Sequence, residues 1–261
     1  MRKIALVTGG SSGIGRETVK ALVEAGCRVF SVSRRPVDRA DHICADVTDE
    51  AQVRAAVEQV LQEAGRIDIL VNCAGFGISG AVEFTELSEA KRQFEVNFFG
   101  MVNMNKAVIP AMREAGGGRI VNISSVAAPV PIPFQTYYSA CKAAVNSYTM
   151  ATANEIRPFG ISMCAVQPGD IATGFTDARA KSVAGDDVYG GRISRSVAVM
   201  EKDERGGMQP SVAGRYIAKI AQKRKVKPLY AIGFSYKAVC FLIKILPCGL
   251  ANRIIGMIYA K

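Results

Sequence analysis

Two residues in this sequence are spaced for acid–base work. Tyr138 and Lys142 close the stretch Tyr138-Ser139-Ala140-Cys141-Lys142 from either end. Four positions apart on a helix, their side chains share one face. A phenol is a poor acid or base near neutrality, with a pKa of about 10. An ammonium beside it favours the phenolate and lowers that value. The pair therefore reads as a proton donor or acceptor tuned towards neutral pH. Ser125 stands thirteen residues earlier, and its hydroxyl could polarise a carbonyl. Tyr-x-x-x-Lys also occurs as an ordinary surface pair, so the reading depends on the rest of the chain. Tyr137 precedes Tyr138, but only Tyr138 has a lysine four residues on.

A second constellation suits a nucleotide. Near the N-terminus the chain reads Thr8-Gly9-Gly10-Ser11-Ser12-Gly13-Ile14-Gly15. A Gly-rich turn lets backbone approach a pyrophosphate, and the following helix offers free N–H groups and a positive dipole end. The spacing is Gly-x-x-x-Gly-x-Gly rather than the commoner Gly-x-Gly-x-x-Gly, and an ordinary Gly-rich turn is the plain alternative. About twenty residues on, a carboxylate would hold the ribose 2′-hydroxyl of NAD. The chain instead has Ser31-Val32-Ser33-Arg34-Arg35. Two guanidiniums and no acid suit the 2′-phosphate of NADP(H); a solvated basic turn is the alternative.

These residues need elements to carry them. Residues 4–7 are a short apolar run, the mark of a strand buried on both faces. Residues 13–25 show helical spacing, with Ile14, Val19, Leu22 and Val23 on one side and Gly26 as a stop. Strands are expected at 29–32, 43–45, 67–71, 119–123, 161–166 and 229–232. Helices are expected at 49–64, from a Ser88 cap to about 113, at 138–157 and at 210–223, with polar, Gly-rich sequence from 174 to 208. Strands alternating with long helices predict an α/β fold: one doubly wound, Rossmann-type parallel sheet with helices on both faces, in a single domain spanning 1–261.

Composition narrows the chemistry. The chain has 261 residues, 49% apolar and 21% charged, which is globular composition. His42 is its only histidine, so a triad would have to run through it and a multi-histidine metal site is excluded; no metal is expected. His42 follows Asp41 in a polar stretch and reads as a solvated loop residue. Seven scattered cysteines without a Cys-x-x-Cys pair read as reduced thiols of a cytoplasmic protein. The apolar start ends too soon, at Thr8, for a signal peptide. The net charge of +10 fits attraction of a polyanionic cofactor or an anionic membrane surface. Without a stripe of interleaved aromatics, nucleic acid is not an expected partner.

Together these residues resemble the short-chain dehydrogenase/reductase family. The resemblance rests on the glycine turn, Asp46-Val47, Asn72-Cys73-Ala74-Gly75, Asn97, Ser125, Tyr138 with Lys142, and Pro168-Gly169 with Ile171 and Thr173, in order and at the family's distances over residues 1 to about 175. It implies catalytic roles for four residues. Tyr138 would be the acid/base, Lys142 the residue that holds the nicotinamide ribose, Ser125 the carbonyl ligand and Asn97 the keeper of a relay water. It also implies cofactor contacts: Asp46 and Val47 at the adenine, Asn72, Ala74 and Gly75 beside its ribose, and Pro168, Gly169, Ile171 and Thr173 on the nicotinamide side. Cys73 inside Asn-x-Ala-Gly is a mild departure.

The substrate is less legible. In the family's layout the apolar stretch 128–134 and Phe175 would border the reactive carbonyl, which argues for a hydrophobic small molecule such as a steroid or another lipid; plain core is the alternative. Reduction of 3-oxoacyl thioesters is a second enzyme reading, and a silent NADPH-binding regulator is a third, of another class. Residues 235–261 form an apolar tail, too interrupted for a span of about 20 residues. It could pack on the core, line the substrate entrance, lie on a membrane surface or bury itself in another subunit; a homo-oligomer, dimer or tetramer, is expected.

Overall fold

A computed structural model of the chain describes residues 2–260. Seven strands form one parallel sheet: β1 (Ile4–Thr8), β2 (Arg28–Val32), β3 (Asp41–Ile43), β4 (Ile69–Asn72), β6 (Gly118–Ile123), β7 (Ile161–Gln167) and β9 (Leu229–Ala231), in the order β3-β2-β1-β4-β6-β7-β9. Two short strands, β5 (Ile78–Ser79) and β8 (Ala180–Lys181), pair in parallel apart from it. The helices are α1 (Gly13–Glu24), α2 (Glu50–Ala64), α3 (Leu87–Phe94), α4 (Gly100–Glu114), α5 (Thr136–Ile156), α6 (Phe175–Ala178), α7 (Arg192–Arg205), α8 (Pro210–Ala221), α9 (Phe234–Ile245) and α10 (Cys248–Tyr259).

The sheet is covered on both faces, as a doubly wound fold requires. Within β1 the side chains alternate between two cores. Ile4 and Leu6 join Val53, Val57 and Val60 of α2, Met104 and Val108 of α4 and Ile156 of α5. Ala5 and Val7 join Val19 and Leu22 of α1 and Ala213 and Ile217 of α8. A two-sided strand carries apolar residues at every position, so its periodicity disappears while its length stays short. Helices α1 and α8 touch closely: a Cβ on Gly214 would lie 2.5 Å from the Glu17 carbonyl carbon. The order of the strands reverses beside β1, between β1 and β4, which opens a crevice at the carboxyl ends of both.

Several expectations need correction. Strand β3 starts two residues early and contains His42, which is half-buried with Nε2 2.9 Å from the Ser33 carbonyl oxygen. Parallel pairing of Ser31 with His42 overrides the polar local sequence, so His42 is not a free loop residue. The helix expected from Ser88 to 113 starts at Leu87 and is interrupted by a π turn, Glu95–Phe99. The stretch 174–208 is not featureless, for Ile193, Val197 and Met200 recur on one face of α7 and pack with Phe134. The tail is two helices broken at Pro247. Its inner residues Cys240 and Ile255 meet Val126 and Val130 of the loop after β6.

Candidate active site

The crevice begins where β1 ends. The Thr8 hydroxyl accepts the backbone N–H groups of Cys73 and Ala74, each at 3.1 Å, which ties the first turn to the end of β4. Gly9 has φ of +68°, and a Cβ there would stand 2.8 Å from the Ala74 backbone. Gly15 lies equally close to the turn, since its Cβ would fall 2.2 Å from the Gly9 carbonyl oxygen. Ser12 precedes α1 without a side-chain cap, so the first-turn N–H groups are free to meet an anion. They face a cleft of about 320 Å³ whose other wall is Ala172-Thr173-Gly174. A second hollow, lined by Glu24, Arg215 and Lys219 among others, contains none of the site residues.

The far end of the crevice is basic. Ser33 is buried and its hydroxyl donates to the Arg35 carbonyl at 2.8 Å, so the turn after β2 is fixed. Arg34 extends from it, 71% exposed, with Nη1 3.8 Å from Asp46 Oδ2. Burial raises the Asp46 pKa, but hydrogen bonds from the Thr48 N–H and hydroxyl, with Arg34 nearby, leave it below the ordinary carboxylate value. Val47 is buried against Gly100, where a Cβ would lie 2.6 Å from it. Free N–H groups at one end, an exposed guanidinium at the other and glycines where backbone must come close make a cradle that fits a dinucleotide.

The residues expected to be catalytic sit at the next strand ends. Ser125 follows β6 and its hydroxyl oxygen accepts the Ala127 N–H at 3.1 Å. Tyr138 and Lys142 project from the first turns of α5. Lys142 Nζ donates to the Ile123 carbonyl at 2.9 Å and lies 5.6 Å from the centre of the Tyr138 ring. Ser124 donates to the Lys142 carbonyl at 3.1 Å, which fixes α5 against β6. Asn97 occupies the π turn, and its side chain clasps the backbone of Phe76: Oδ1 accepts the N–H at 2.9 Å and Nδ2 donates to the carbonyl at 2.7 Å. Asn72 is buried inward. Its Nδ2 donates to Asn105 and Asn122, both at 2.9 Å, and Asn122 in turn donates to Thr149.

The family described as short chain dehydrogenase matches residues 3–184. This chain belongs to that family. A 3-ketodihydrosphingosine reductase from Bacteroides thetaiotaomicron is 43% identical over 244 residues, covering 89% of this chain and 91% of that one. A 3-alpha-(or 20-beta)-hydroxysteroid dehydrogenase from Mycobacterium bovis is 36% identical over 185 residues, 67% of this chain and 71% of that one. The solved structure of a short-chain dehydrogenase from Streptomyces avermitilis superposes with a TM-score of 0.83 at 32% identity, covering 98% of this chain and 96% of that one.

As a short chain dehydrogenase the protein is an oxidoreductase that takes a nucleotide cofactor, and its geometry refines the reading of Tyr138. The expectation of a lowered pKa fails in the free protein. Burial pushes the phenol up to about 12, with hydrogen bonding to Ser125 and the charge of Arg179 opposing. Lys142 itself is buried, which lowers its pKa, and its ammonium is bound to the Ile123 carbonyl rather than to the phenol oxygen. A phenol with its pKa raised in this way stays protonated at neutral pH in the free protein and is ready to give a proton.

In this short chain dehydrogenase the sequence pointed to Phe175 but not to the residues packed behind it. Phe175, expected near the carbonyl, packs on Tyr138 with ring centres 5.8 Å apart. Behind it Arg179 is fully buried, stacked on Phe175 at 5.5 Å and ion-paired with Glu204, which also accepts from Thr176 at 2.7 Å. Asp170 accepts the Tyr236 hydroxyl, and the Tyr236 ring covers Gly169, where a Cβ would lie 2.3 Å away. Burial leaves the Asp170 carboxyl above its ordinary pKa despite that bond. Ile171 bridges to Met208, and Thr173 Oγ1 accepts the Phe175 N–H at 3.2 Å. Acid–tyrosine and arginine–acid pairs this far apart in sequence leave no local signal.

Proposed function

We propose that this protein is an NADPH-dependent reductase of ketones carried on long apolar chains, with a 3-keto sphingoid base as the foremost substrate. One observation carries the substrate class: the 43% identity to a 3-ketodihydrosphingosine reductase, which runs over nine-tenths of both chains. The steroid reading draws on a relative that matches two-thirds of this chain. The NADP(H) preference rests on Arg34 and Arg35 standing where an NAD enzyme would carry an acid. Seven free cysteines agree with work in a reducing cytoplasm.

The residues divide the work of a two-electron reduction. The reduced nicotinamide, when bound, supplies the hydride that reaches the carbonyl carbon. Ser125 donates a hydrogen bond to the carbonyl oxygen and drains its charge. Tyr138 gives that oxygen its proton, so the products are a secondary alcohol, the oxidised cofactor and a Tyr138 to be reprotonated. Lys142 holds the ribose hydroxyls and, with Asn97 fixed on Phe76, hands protons from solvent to Tyr138. Phe175 walls off the ring from water, which strengthens each of these polar contacts.

The test is initial-rate loss of NADPH absorbance with three ketones: 3-ketodihydrosphingosine in mixed micelles, a 3-ketosteroid and a small soluble ketone. Burying four methylenes at ~0.8 kcal/mol each makes kcat/KM for the long-chain ketone more than about 100-fold above the small one. A steroid preferred over the sphingoid ketone, or no reduction of either, overturns the substrate assignment.

A further inference from the structure

The charge of this chain is divided unevenly along its length. Of 33 lysines and arginines, ten lie in residues 206–261, and none of the 23 acids does; the last acid is Glu204. Residues 1–205 therefore carry 23 charges of each sign, and the whole excess of +10 belongs to the final 56 residues. Lys223, Arg224, Lys225 and Lys227 are exposed in the loop before β9, and Lys237, Lys244 and Arg253 are exposed on α9 and α10. Among the described residues none of these seven pairs with a carboxylate.

The same segment holds many of the exposed large apolar side chains of the molecule. Phe234 is 89% exposed, Phe241 64%, Ile245 62% and Ile258 54%, with Leu242, Leu250 and Met257 near half. Only Cys240, Ala251 and Ile255 of the two helices are buried. The inner side is firmly seated, through Cys240 and Ile255 on Val126 and Val130 and through Tyr236 on Gly169 and Asp170. The outer sides of both helices expose apolar residues beside cations that have no carboxylate partner, next to the loop that carries Ser125. No helix among the described residues is long and apolar enough to cross a membrane.

We propose that α9, α10 and the basic loop 223–227 form a docking surface for an anionic lipid bilayer. Apolar side chains enter the interface while lysine and arginine meet the lipid phosphates and carboxylates, the arrangement of an interfacial helix. A second copy of the chain fits this face less well, because a two-fold contact would bring two patches of excess positive charge together with no acid to answer either. Docking places the substrate entrance against the phase in which a long-chain ketone is dissolved. That use rests on the substrate class proposed above; the docking does not.

The experiment is sedimentation of the full chain with vesicles of phosphatidylcholine alone or mixed with phosphatidylserine. The expected partition constant is at least about tenfold higher on the anionic vesicles, and molar salt removes most of that preference. The triple variant Lys223→Glu, Arg224→Glu, Lys225→Glu loses the anionic preference. The triple variant Phe241→Ser, Ile245→Ser, Ile258→Ser binds anionic vesicles at least about tenfold more weakly. Both keep the wild-type unfolding midpoint, since all six side chains are exposed. Three results overturn the proposal: no vesicle binding, equal binding to both compositions, or a wild-type dimer that the serine variant splits while vesicles remain unbound. Vesicle binding by a protein that reduces no long-chain ketone upholds docking and overturns the substrate class alone.

Discussion

Tyr138→Phe removes one oxygen and leaves a ring of the same shape. The packing survives: Phe175 stays 5.8 Å away on one side, and Lys142 keeps its own bond to the Ile123 carbonyl. What goes is the phenol that burial holds protonated, with its pKa pushed up to about 12, and its hydrogen bond with Ser125. Loss of a positioned acid costs roughly 10² to 10⁴-fold in rate, or ~2.7 to 5.4 kcal/mol in the barrier. Loss of one neutral hydrogen bond costs only ~0.5 to 1.5 kcal/mol of stability, so a chain of this size should lose only about 1 to 6 °C of melting temperature. The assay is kcat under saturating NADPH and ketone, beside the NADPH Kd from titration calorimetry. We expect a kcat at least about 100-fold lower and a Kd within about threefold of wild type. A variant that retains more than a tenth of kcat refutes the role given to Tyr138, and one that loses cofactor binding as well shows that the hydroxyl mainly builds the site.

Three further perturbations test other parts. Ser33→Asp with Arg34→Asp should move preference from NADPH towards NADH; a charged hydrogen bond is worth ~1.5 to 3 kcal/mol, and the exposure of Arg34 puts the shift in kcat/KM ratio at the lower end, about tenfold. A wild-type enzyme that already favours NADH would sink the cofactor assignment. Gly9→Ala places a Cβ at φ +68° and 2.8 Å from the Ala74 backbone, whereas Gly26→Ala, at φ +86°, meets nothing within 4 Å; the first should lose ~1 to 3 kcal/mol more than the second, read as the difference in their urea midpoints. With the Tyr138 pKa raised rather than lowered, the phenol is the form present at neutral pH, so ketone reduction should be flat with pH through neutrality while alcohol oxidation, which needs the phenolate, rises about tenfold per unit. A reduction profile that falls through an apparent pKa near 7 would contradict the burial argument.

What could be read from the sequence was local. The glycine turn, the apolar run of β1 and the Tyr138–Lys142 pair are each defined within eight residues, and geometry forces their meaning: φ of +68° at Gly9, two cores fed by alternate residues of β1, one helix face for the pair. What could not be read was made by pairing at a distance. His42 is in a strand because Ser31 of β2 lies beside it, not because its neighbours alternate. The π turn at Asn97 leaves the apolar period of the helix almost unbroken, yet it turns the amide onto Phe76. Arg179 finds Glu204 across 25 residues and Asp170 finds Tyr236 across 66. The sign of the Tyr138 shift belongs to the same group, since a sequence shows the lysine four residues on but not the burial that outweighs it.

The last of those distant pairs links the two halves of the functional reading. Tyr236 stands in the first turn of α9, so the position of the tail is fixed by its bond to Asp170 and by its ring on Gly169. Gly169 follows Pro168, whose carbonyl accepts the Val126 N–H at 2.9 Å, and Val126 adjoins Ser125. Cys240 and Ile255 press on Val126 from the other side. The tail is thus braced against both the strand end expected beside the nicotinamide and the loop that carries Ser125. A helix pair held only by its own apolar face has few directional contacts; this one adds a bond to the half-buried Asp170 and a ring seated on a glycine that admits no Cβ. That seating gives a fixed relation between the exposed apolar face and the reactive centre, which a lipid-borne ketone needs if its polar end is to reach Tyr138 while its chain remains in apolar surroundings.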